Sequence, residues 1–331
     1  MKITLKKFKQ LIEDNDFSYL DELAFEARLI TEKYFGKNID IYIPVYISNF
    51  CTNDCIYCNF SINNNKIKRQ RLTLNEIEKE FIILKNKGFK EILILSGGDE
   101  KDFELVLNSV LRAKKYFDKI GIEIFSCSLE QYKKLKAAGV AYVTIYQECY
   151  NKKIYNSIHR SGNKSNYYFR YNSPARVLKA GIRGIGMGVL YGISDPISET
   201  IALAEHISYL RKIYWDRDFS ISFPRIRDRK TDYYIPDKLL AKIIFLFRLL
   251  FNDITLNLST RESSKFRDGM LGLGINKISA ESSTKVGGYL KKQSGQDQFL
   301  ISDTRNLKAI KQTLKNKGYF PVLKDYSAVF N

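Results

Sequence analysis

Asp40-Ile-Tyr-Ile-Pro-Val-Tyr-Ile-Ser48 runs through Asn49-Phe50 into Cys51-Thr-Asn-Asp-Cys55-Ile-Tyr-Cys58. The first part, rich in β-branched and aromatic residues, reads as a strand. The second places three cysteines directly after it, at Cys-x3-Cys-x2-Cys spacing. The odd number matters more than the spacing. A structural zinc site wants four closed ligands, and a conventional cubane iron–sulfur cluster takes four thiolates. Three cysteines without a nearby fourth imply a cluster with one iron left open, able to bind a substrate or cofactor. The competing reading is a zinc site completed from a distance, for which the sequence offers only Cys127, Cys149, His159 and His206.

Outward from this stretch, short β-rich runs alternate with helical patterns, the sequence form of a parallel βα protein. Strands are expected at Asp40–Ser48, Glu91–Ser96, Ile122–Ser126, Tyr142–Gln147, Ile185–Tyr191, Phe219–Pro224, Ile254–Ser259 and Asn276–Ala280. Helices are expected at Leu74–Lys87, Phe103–Phe117, Leu129–Ala138 and Pro174–Ala180. Gly88, Gly139 and Gly181 sit where C-terminal caps need positive φ. Thr73 and Ser173 are the expected N-caps, the latter followed by Pro174. Eight strands with intervening helices make an α/β fold, a (βα)8 barrel of TIM type spanning residues 39–300. Two helices, Leu5–Asp14 and Ser18–Phe35, occupy residues 1–38. Residues 301–331 hold one more helix and are expected to close one end.

Chemistry in such barrels gathers at the C-terminal ends of the strands. The unusual residues fall there. Cys51 follows the first strand, Ser96-Gly97-Gly98-Asp99 the second, and Gln147-Glu148 ends the fourth. Ser259-Thr-Arg261-Glu262 closes the seventh and Ser279-Ala-Glu281-Ser282-Ser283 the eighth.

At 331 residues and 44% hydrophobic content the chain has material for a large core. Five cysteines, three of them in one motif, argue against a disulfide framework and for a reducing compartment. The amphipathic start, MKITLKKFKQLIEDNDF, is no secretion signal. The longest apolar run, Ile243–Phe251, is too short for a membrane span and contains Arg248. A cytoplasmic, soluble protein without membrane attachment is expected. The net charge of +18 invites a nucleic-acid reading. The lysines are nevertheless spread over the chain and mixed with Glu and Asp. The main basic cluster, Lys66-Ile-Lys-Arg-Gln-Arg71, stands without any recognisable nucleic-acid motif. Nucleic acid is therefore not expected, and an acidic protein partner fits the charge better.

The cysteine motif resembles that of the radical S-adenosylmethionine enzymes, and Tyr57 matches an aromatic that packs against adenine in that superfamily. The similarity extends further. Tyr42-Ile-Pro-Val-Tyr-Ile-Ser-Asn49, Ile67-Lys-Arg-Gln-Arg71, Tyr146-Gln-Glu-Cys-Tyr150, Ile221-Ser-Phe-Pro-Arg-Ile226, Leu258-Ser-Thr-Arg-Glu262 and Gly287-Gly-Tyr289 resemble blocks of the tyrosine lyases of thiamine biosynthesis, the 2-iminoacetate synthase family. The hydrogenase-maturation tyrosine lyases share most blocks but carry a second cysteine cluster in a C-terminal segment. No cysteine lies beyond Cys149 here, which disfavours that branch.

The resemblance implies a [4Fe–4S] cluster on Cys51, Cys55 and Cys58, whose open iron chelates S-adenosyl-L-methionine. It implies cleavage of the Cα–Cβ bond of L-tyrosine to 2-iminoacetate and p-cresol, with methionine and 5′-deoxyadenosine as co-products. A thiazole synthase of the ThiG type and a flavodoxin or ferredoxin-type electron donor are the implied partners. Tyr57, Ser96, Gly97, Gly98, Glu148 and Arg170 resemble S-adenosylmethionine contacts. The family's Thr-Gly-Glu turn is altered at Ser96-Gly97-Gly98, so the acidic partner is either Asp99 or dispensable. Ser259, Arg261 and Ser279 resemble the substrate site, where a guanidinium fork suits a carboxylate. For Glu148 and Arg170 the plainer alternative is an ion pair at the barrel mouth, and for Arg261 a surface salt bridge. Cys149, where threonine is usual, is expected to be a buried small residue. Gly184-Ile-Gly-Met-Gly188 is expected to let backbone approach adenine. His159 is catalytic or structural, and no residue is singled out as a catalytic acid or base. A lyase of another aromatic amino acid such as tryptophan, and a zinc-stabilised basic binding protein, are the competing functions.

Overall fold

In a computed structural model, which describes residues 2–290 and 297–323, the strands close on themselves. They are β1 (Asn38–Ser48), β2 (Glu91–Ser96), β3 (Lys119–Glu123), β4 (Tyr142–Glu148), β5 (Gly184–Val189), β6 (Asp218–Ser222), β7 (Thr255–Leu258) and β8 (Lys277–Ser279). Each pairs in parallel with its sequence neighbours, and β1 pairs with both β2 and β8, so the sheet is a barrel. Parallel strands need crossovers, and helices supply most of them on the outside.

Local sequence explains the starts and stops. Thr73 accepts from the backbone N–H of Glu76, whose carboxylate returns to Thr73, a reciprocal cap that opens the helix Leu74–Asn86. Ser128 and Gln131 do the same for Leu129–Ala138, and Gly139 ends that helix at φ 107°. Ser173 is not the cap expected of it. The helix Ser173–Lys179 starts on Ser173 itself, and its buried hydroxyl lies 2.9 Å from the Tyr132 hydroxyl. The third strand sits three residues earlier than expected. Lys119-Ile-Gly-Ile-Glu123 conceals it by placing a lysine and a glycine in the ladder, while Ile124 and Phe125 leave the sheet to line the central cavity.

The N-terminal helices Leu5–Glu13 and Leu20–Phe35 pack beside Asp237–Leu250, with Phe8 and Phe247 rings 5.2 Å apart. Burying a side chain such as Phe8, which is wholly covered, stabilises the fold by about 1.5–3 kcal/mol. Arg248 interrupts this apolar helix without harm. Its buried guanidinium donates to the carbonyls of Gly274, Asn252 and Ile254 and to Asn276 Oδ1. The C-terminal segment contains the expected helix, Leu307–Asn316, and also a short strand that was not foreseen, β9 (Phe320–Val322). This strand pairs with the first three residues of β1. Among the described residues, no helix is long and apolar enough to cross a membrane.

Candidate active site

The loop that carries the cysteines leaves β1 and is gripped from two sides. Arg69 forks onto its main chain, donating to the carbonyls of Asn49 (2.7 Å), Phe60 (2.8 Å) and Ser61 (2.5 Å). Residues 158–161 run antiparallel to it, through Ile56 N–H to Ile158 O, Arg160 N–H to Asp54 O, and Asp54 N–H to Ser161 O. The two arginines of the basic cluster at 66–71 are thereby explained. Arg69 holds the loop, and Arg71 pairs with Asp99 and Asp102.

All three thiols are free and line one cavity. Asn53 Nδ2 lies 3.5 Å from Cys51 Sγ, and Gln298 Nε2 lies 3.8 Å from Cys58 Sγ. Burial pushes the Cys55 thiol up to about 12 and raises Cys58 as well. Thiols so desolvated ionise only when a cation compensates at sulfur. Gly98 keeps the cradle open, because a Cβ there would lie 2.0 Å from Asn53 Nδ2 and 3.0 Å from Cys51 Sγ. Among the described residues, no three His, Cys, Asp or Glu side chains converge to chelate a single ion. A cubane takes each thiolate at a separate iron, so its ligands need not converge. The residues present therefore fit a cluster.

They do not fit a zinc tetrahedron. Cys127 Sγ turns to Phe125 O, and the buried Cys149 Sγ contacts Glu199 at 3.2 Å. His206 stacks on Tyr171 at 4.2 Å and bonds the Tyr150 hydroxyl. His159 is fully used. Its Nδ1 faces Tyr155 O at 3.0 Å and so carries the proton, leaving Nε2 to accept from the Tyr57 hydroxyl at 2.8 Å. Burial holds this imidazole down to about 2, so it stays neutral. His159 is a fixed support for Tyr57.

The cavity encloses about 1450 Å³, its open mouth included, at the C-terminal end of the barrel. Every residue expected of the site lines it: the cysteines, Tyr57, Ser96, Gly97, Gly98, Glu148, Arg170, Ser259, Arg261 and Ser279. Glu148 ends β4 at φ 67°, a backbone state rare for a non-glycine residue. Its carboxylate pairs with Lys164 at 2.7 Å, not with Arg170. Arg170 instead donates to Tyr146 O and Ser126 Oγ. Asp99 does not line the cavity; it caps the turn at Glu100–Asp102 and pairs with Arg71. The β5 glycines make room for side chains and not for a nucleotide. Cβ atoms there would meet Tyr142, Thr144 and Tyr146 of β4 and the Ser222 carbonyl.

On the other side, Arg261 lies 3.5 Å over the Phe299 ring and forms no ion pair among the described residues. Its loop is fixed by its neighbour Glu262, which is wholly buried and receives a two-pronged bond from Arg225, 2.8 Å to Oε1 and 2.6 Å to Oε2. Burial lowers the Arg261 guanidinium from its ordinary value. A desolvated cation without a carboxylate partner is a ready anion site. Sequence reading missed two charged members of the wall, Lys164 and Glu123. Lys164 stands in an irregular loop where nothing in the sequence distinguishes it. Glu123 was hidden by the misplaced strand.

A parallel barrel that gathers three free thiols and a few charged side chains around one largely apolar cavity is the arrangement of a radical S-adenosylmethionine enzyme. Residues 45–204 match the Radical SAM superfamily, and residues 222–320 the Biotin and Thiamin Synthesis associated domain. The chain is 35% identical over 317 residues to 2-iminoacetate synthase of Salmonella typhimurium (strain LT2), covering 94% of this chain and 84% of the relative. It is 34% identical over 334 residues to 2-iminoacetate synthase of Escherichia coli (strain K12), covering 99% and 88%. The crystal structure of HydG, a maturase of the [FeFe]-hydrogenase, superposes with a TM-score of 0.94 at 31% identity, covering 99% of this chain and 74% of that one. The chain belongs to the 2-iminoacetate synthase family.

Proposed function

We propose that the protein is a radical S-adenosylmethionine lyase that cleaves the Cα–Cβ bond of L-tyrosine to 2-iminoacetate and p-cresol for thiamine thiazole synthesis. The observation that carries this reading is one cavity uniting the three thiols with a desolvated Arg261 that forms no ion pair among the described residues. When bound, the cluster and S-adenosylmethionine supply the electron and the hydrogen-atom abstraction at the substrate amino group. The chain's own residues do the rest. Cys51, Cys55 and Cys58 would hold the cluster with three thiolates, one fewer than a fully ligated cubane takes, so that S-adenosylmethionine could bind to it. Ser96, Gly97 and Gly98 form the turn beside it, and Tyr57, Glu148 and Arg170 flank the adenosyl portion. Arg261 forks onto the amino-acid carboxylate, with Ser259 and Ser279 steadying its loop through hydrogen bonds to Arg261 N–H and Thr260 N–H. Enclosure within the barrel keeps water from the reacting centre.

The reading includes cytoplasmic operation, hand-over of 2-iminoacetate to a ThiG-type thiazole synthase, and reduction by a flavodoxin or ferredoxin-type donor. The net charge of +18 suits an acidic donor protein. The test is anaerobic product analysis of the reconstituted protein with tyrosine and tryptophan side by side. Formation of p-cresol and 2-iminoacetate from tyrosine alone is expected. Turnover of tryptophan alone would move the chain to another substrate. Stoichiometric cyanide from tyrosine would move it to the hydrogenase-maturation branch.

A further inference from the structure

Glu123 ends β3 and faces the cavity, yet it forms no hydrogen bond or ion pair among the described residues. The phenols around it are engaged elsewhere. Tyr46 donates to Gln298 Oε1 at 2.7 Å, Tyr42 accepts from Asn257 Nδ2 at 3.0 Å, and Tyr146 bonds Ser222. Burial, with the charge of Glu148 adding to it, pushes the Glu123 carboxyl up to about 7. A half-buried carboxyl on the cavity wall, without a partner among the described residues, gains from any donor that reaches it.

Its position narrows what that donor is. Around the closed barrel, three strands separate β3 from β7 in either direction, so Glu123 stands on the wall opposite the Arg261 loop. It is in register with Leu95, the residue below Ser96, and Leu95 is in register with Tyr46. On the other side, Ile122 pairs with Val143, which places Glu123 well below Glu148 at the end of β4. It therefore lies deeper in the barrel than the residues assigned to S-adenosylmethionine. Leu93 and Leu95 line the cavity beside it, an apolar wall suited to an aromatic ring.

We propose that Glu123 is the specificity-determining residue for the hydroxyl of the substrate ring. Its carboxylate accepts a hydrogen bond from the phenol of L-tyrosine, while Arg261 on the opposite wall holds the α-carboxylate. This rests on the tyrosine-lyase reading and adds to it the group that distinguishes tyrosine from phenylalanine.

The experiment uses the reconstituted, S-adenosylmethionine-loaded protein and measures equilibrium binding of L-tyrosine and L-phenylalanine to wild type, Glu123→Gln and Glu123→Leu. Wild type should prefer tyrosine by about ten- to a hundredfold, the worth of a charge-assisted hydrogen bond. Glu123→Leu should lose that preference without weakening phenylalanine or S-adenosylmethionine binding. Glu123→Gln, nearly isosteric and still an acceptor, should keep part of it, which tests the idea even if the leucine variant fails to fold. Equal weakening of both amino acids would assign Glu123 to the amino group and overturn the proposal. So would a selective loss of S-adenosylmethionine, or an undiminished tyrosine preference. Failure of the wild type to bind tyrosine would overturn the underlying reading, and that result precedes any substitution.

Discussion

Gly97→Ala tests whether the turn after β2 and the cysteine loop form one packed unit. A Cβ on Gly97 would lie 2.0 Å from Phe50 O, 2.7 Å from Phe50 C and 3.1 Å from Asn49 C. Carbon contacts are optimal near 3.5–4.0 Å, and all three partners are main chain, so no rotamer relieves the clash. Neither side is free to retreat. Gly97 N–H bonds Ser48 O at 2.9 Å, and Asn49 O is held by Arg69. The strain must pass to Phe50, hence to Cys51. Overpacking of this kind costs about 1–3 kcal/mol. If it falls on the bound state, S-adenosylmethionine binding weakens by about five- to 150-fold. If it falls on the fold, the melting temperature drops by about 2 °C per kcal/mol in a chain of this size. Gly88→Ala is the control, since nothing lies within 4 Å of its Cβ position and only its φ of 95° is strained. It should lower the melting temperature while leaving iron content and cofactor affinity intact. The assay is anaerobic reconstitution followed by iron analysis, equilibrium dialysis with S-adenosylmethionine, and thermal unfolding. A Gly97→Ala protein with wild-type melting, full iron and cofactor affinity within about twofold of wild type would refute the argument.

Replacing any one of Cys51, Cys55 or Cys58 by Ala should abolish S-adenosylmethionine cleavage, because the cubane is left under-ligated; 5′-deoxyadenosine formed by reconstituted Cys55→Ala would contradict this. Arg261→Ala should weaken tyrosine binding by about one to two decades, from a lost interaction of roughly 1.5–3 kcal/mol, with little change for the cofactor. Arg261→Lys should recover only part, since a point charge lacks the fork; titration of tyrosine into each variant decides. Glu80, buried beneath Tyr289 N–H at 2.7 Å, has its carboxyl pushed from 4.5 up to about 7 by desolvation. Its folded pKa is the higher one, so its contribution is whole below about pH 4.5 and fades as pH rises through about 7. Glu80→Gln should therefore melt higher relative to wild type at pH 8 than at pH 5.5; an equal difference at both would show that Glu80 is not protonated in the fold.

The barrel was legible because its alternation of strands and helices is written in local pattern, and because caps such as Thr73 and Gly139 act through their nearest neighbours. The cysteine motif was legible because cluster chemistry demands thiolates of this kind, and Arg261 was singled out by resemblance to a carboxylate clamp; all four residues line the one cavity. What stayed hidden depends on contacts between distant segments. Lys164 becomes part of the site only because Glu148, at the end of β4, turns its carboxylate to meet it. The role of His159 follows from two hydrogen bonds that no spacing announces. Glu123 was obscured by a strand whose lysine and glycine break the apolar pattern, and Ser173 was read as a cap because its buried partner, Tyr132, lies 41 residues away. The β5 glycines were expected to let backbone approach adenine, but side chains of β4 and the Ser222 carbonyl of β6 occupy the space beside them.

The same contrast bears on the charge. Loops at a barrel mouth expose carbonyls that no ladder satisfies, and the guanidinium, with five donors in a fixed fork, can serve several at once. Arg69 takes three carbonyls of the cysteine loop. Arg225 takes Glu262 and the Ile235 carbonyl, tying the loops after β6 and β7. Arg267 reaches Asp303 and the Ser279 carbonyl, fastening the end of β8 to the C-terminal segment. Arg225 and Arg267 are buried and Arg69 is partly so, and each acts next to a residue assigned to the cluster or the substrate. Some of the basicity that suggested nucleic acid is therefore internal scaffolding. It makes rigid the loops that a reaction needing one N–H at one position requires to be rigid. Arg261 differs from these three because, among the described residues, no carboxylate pairs with its fork, and that is the ground for proposing it as the partner of the substrate carboxylate.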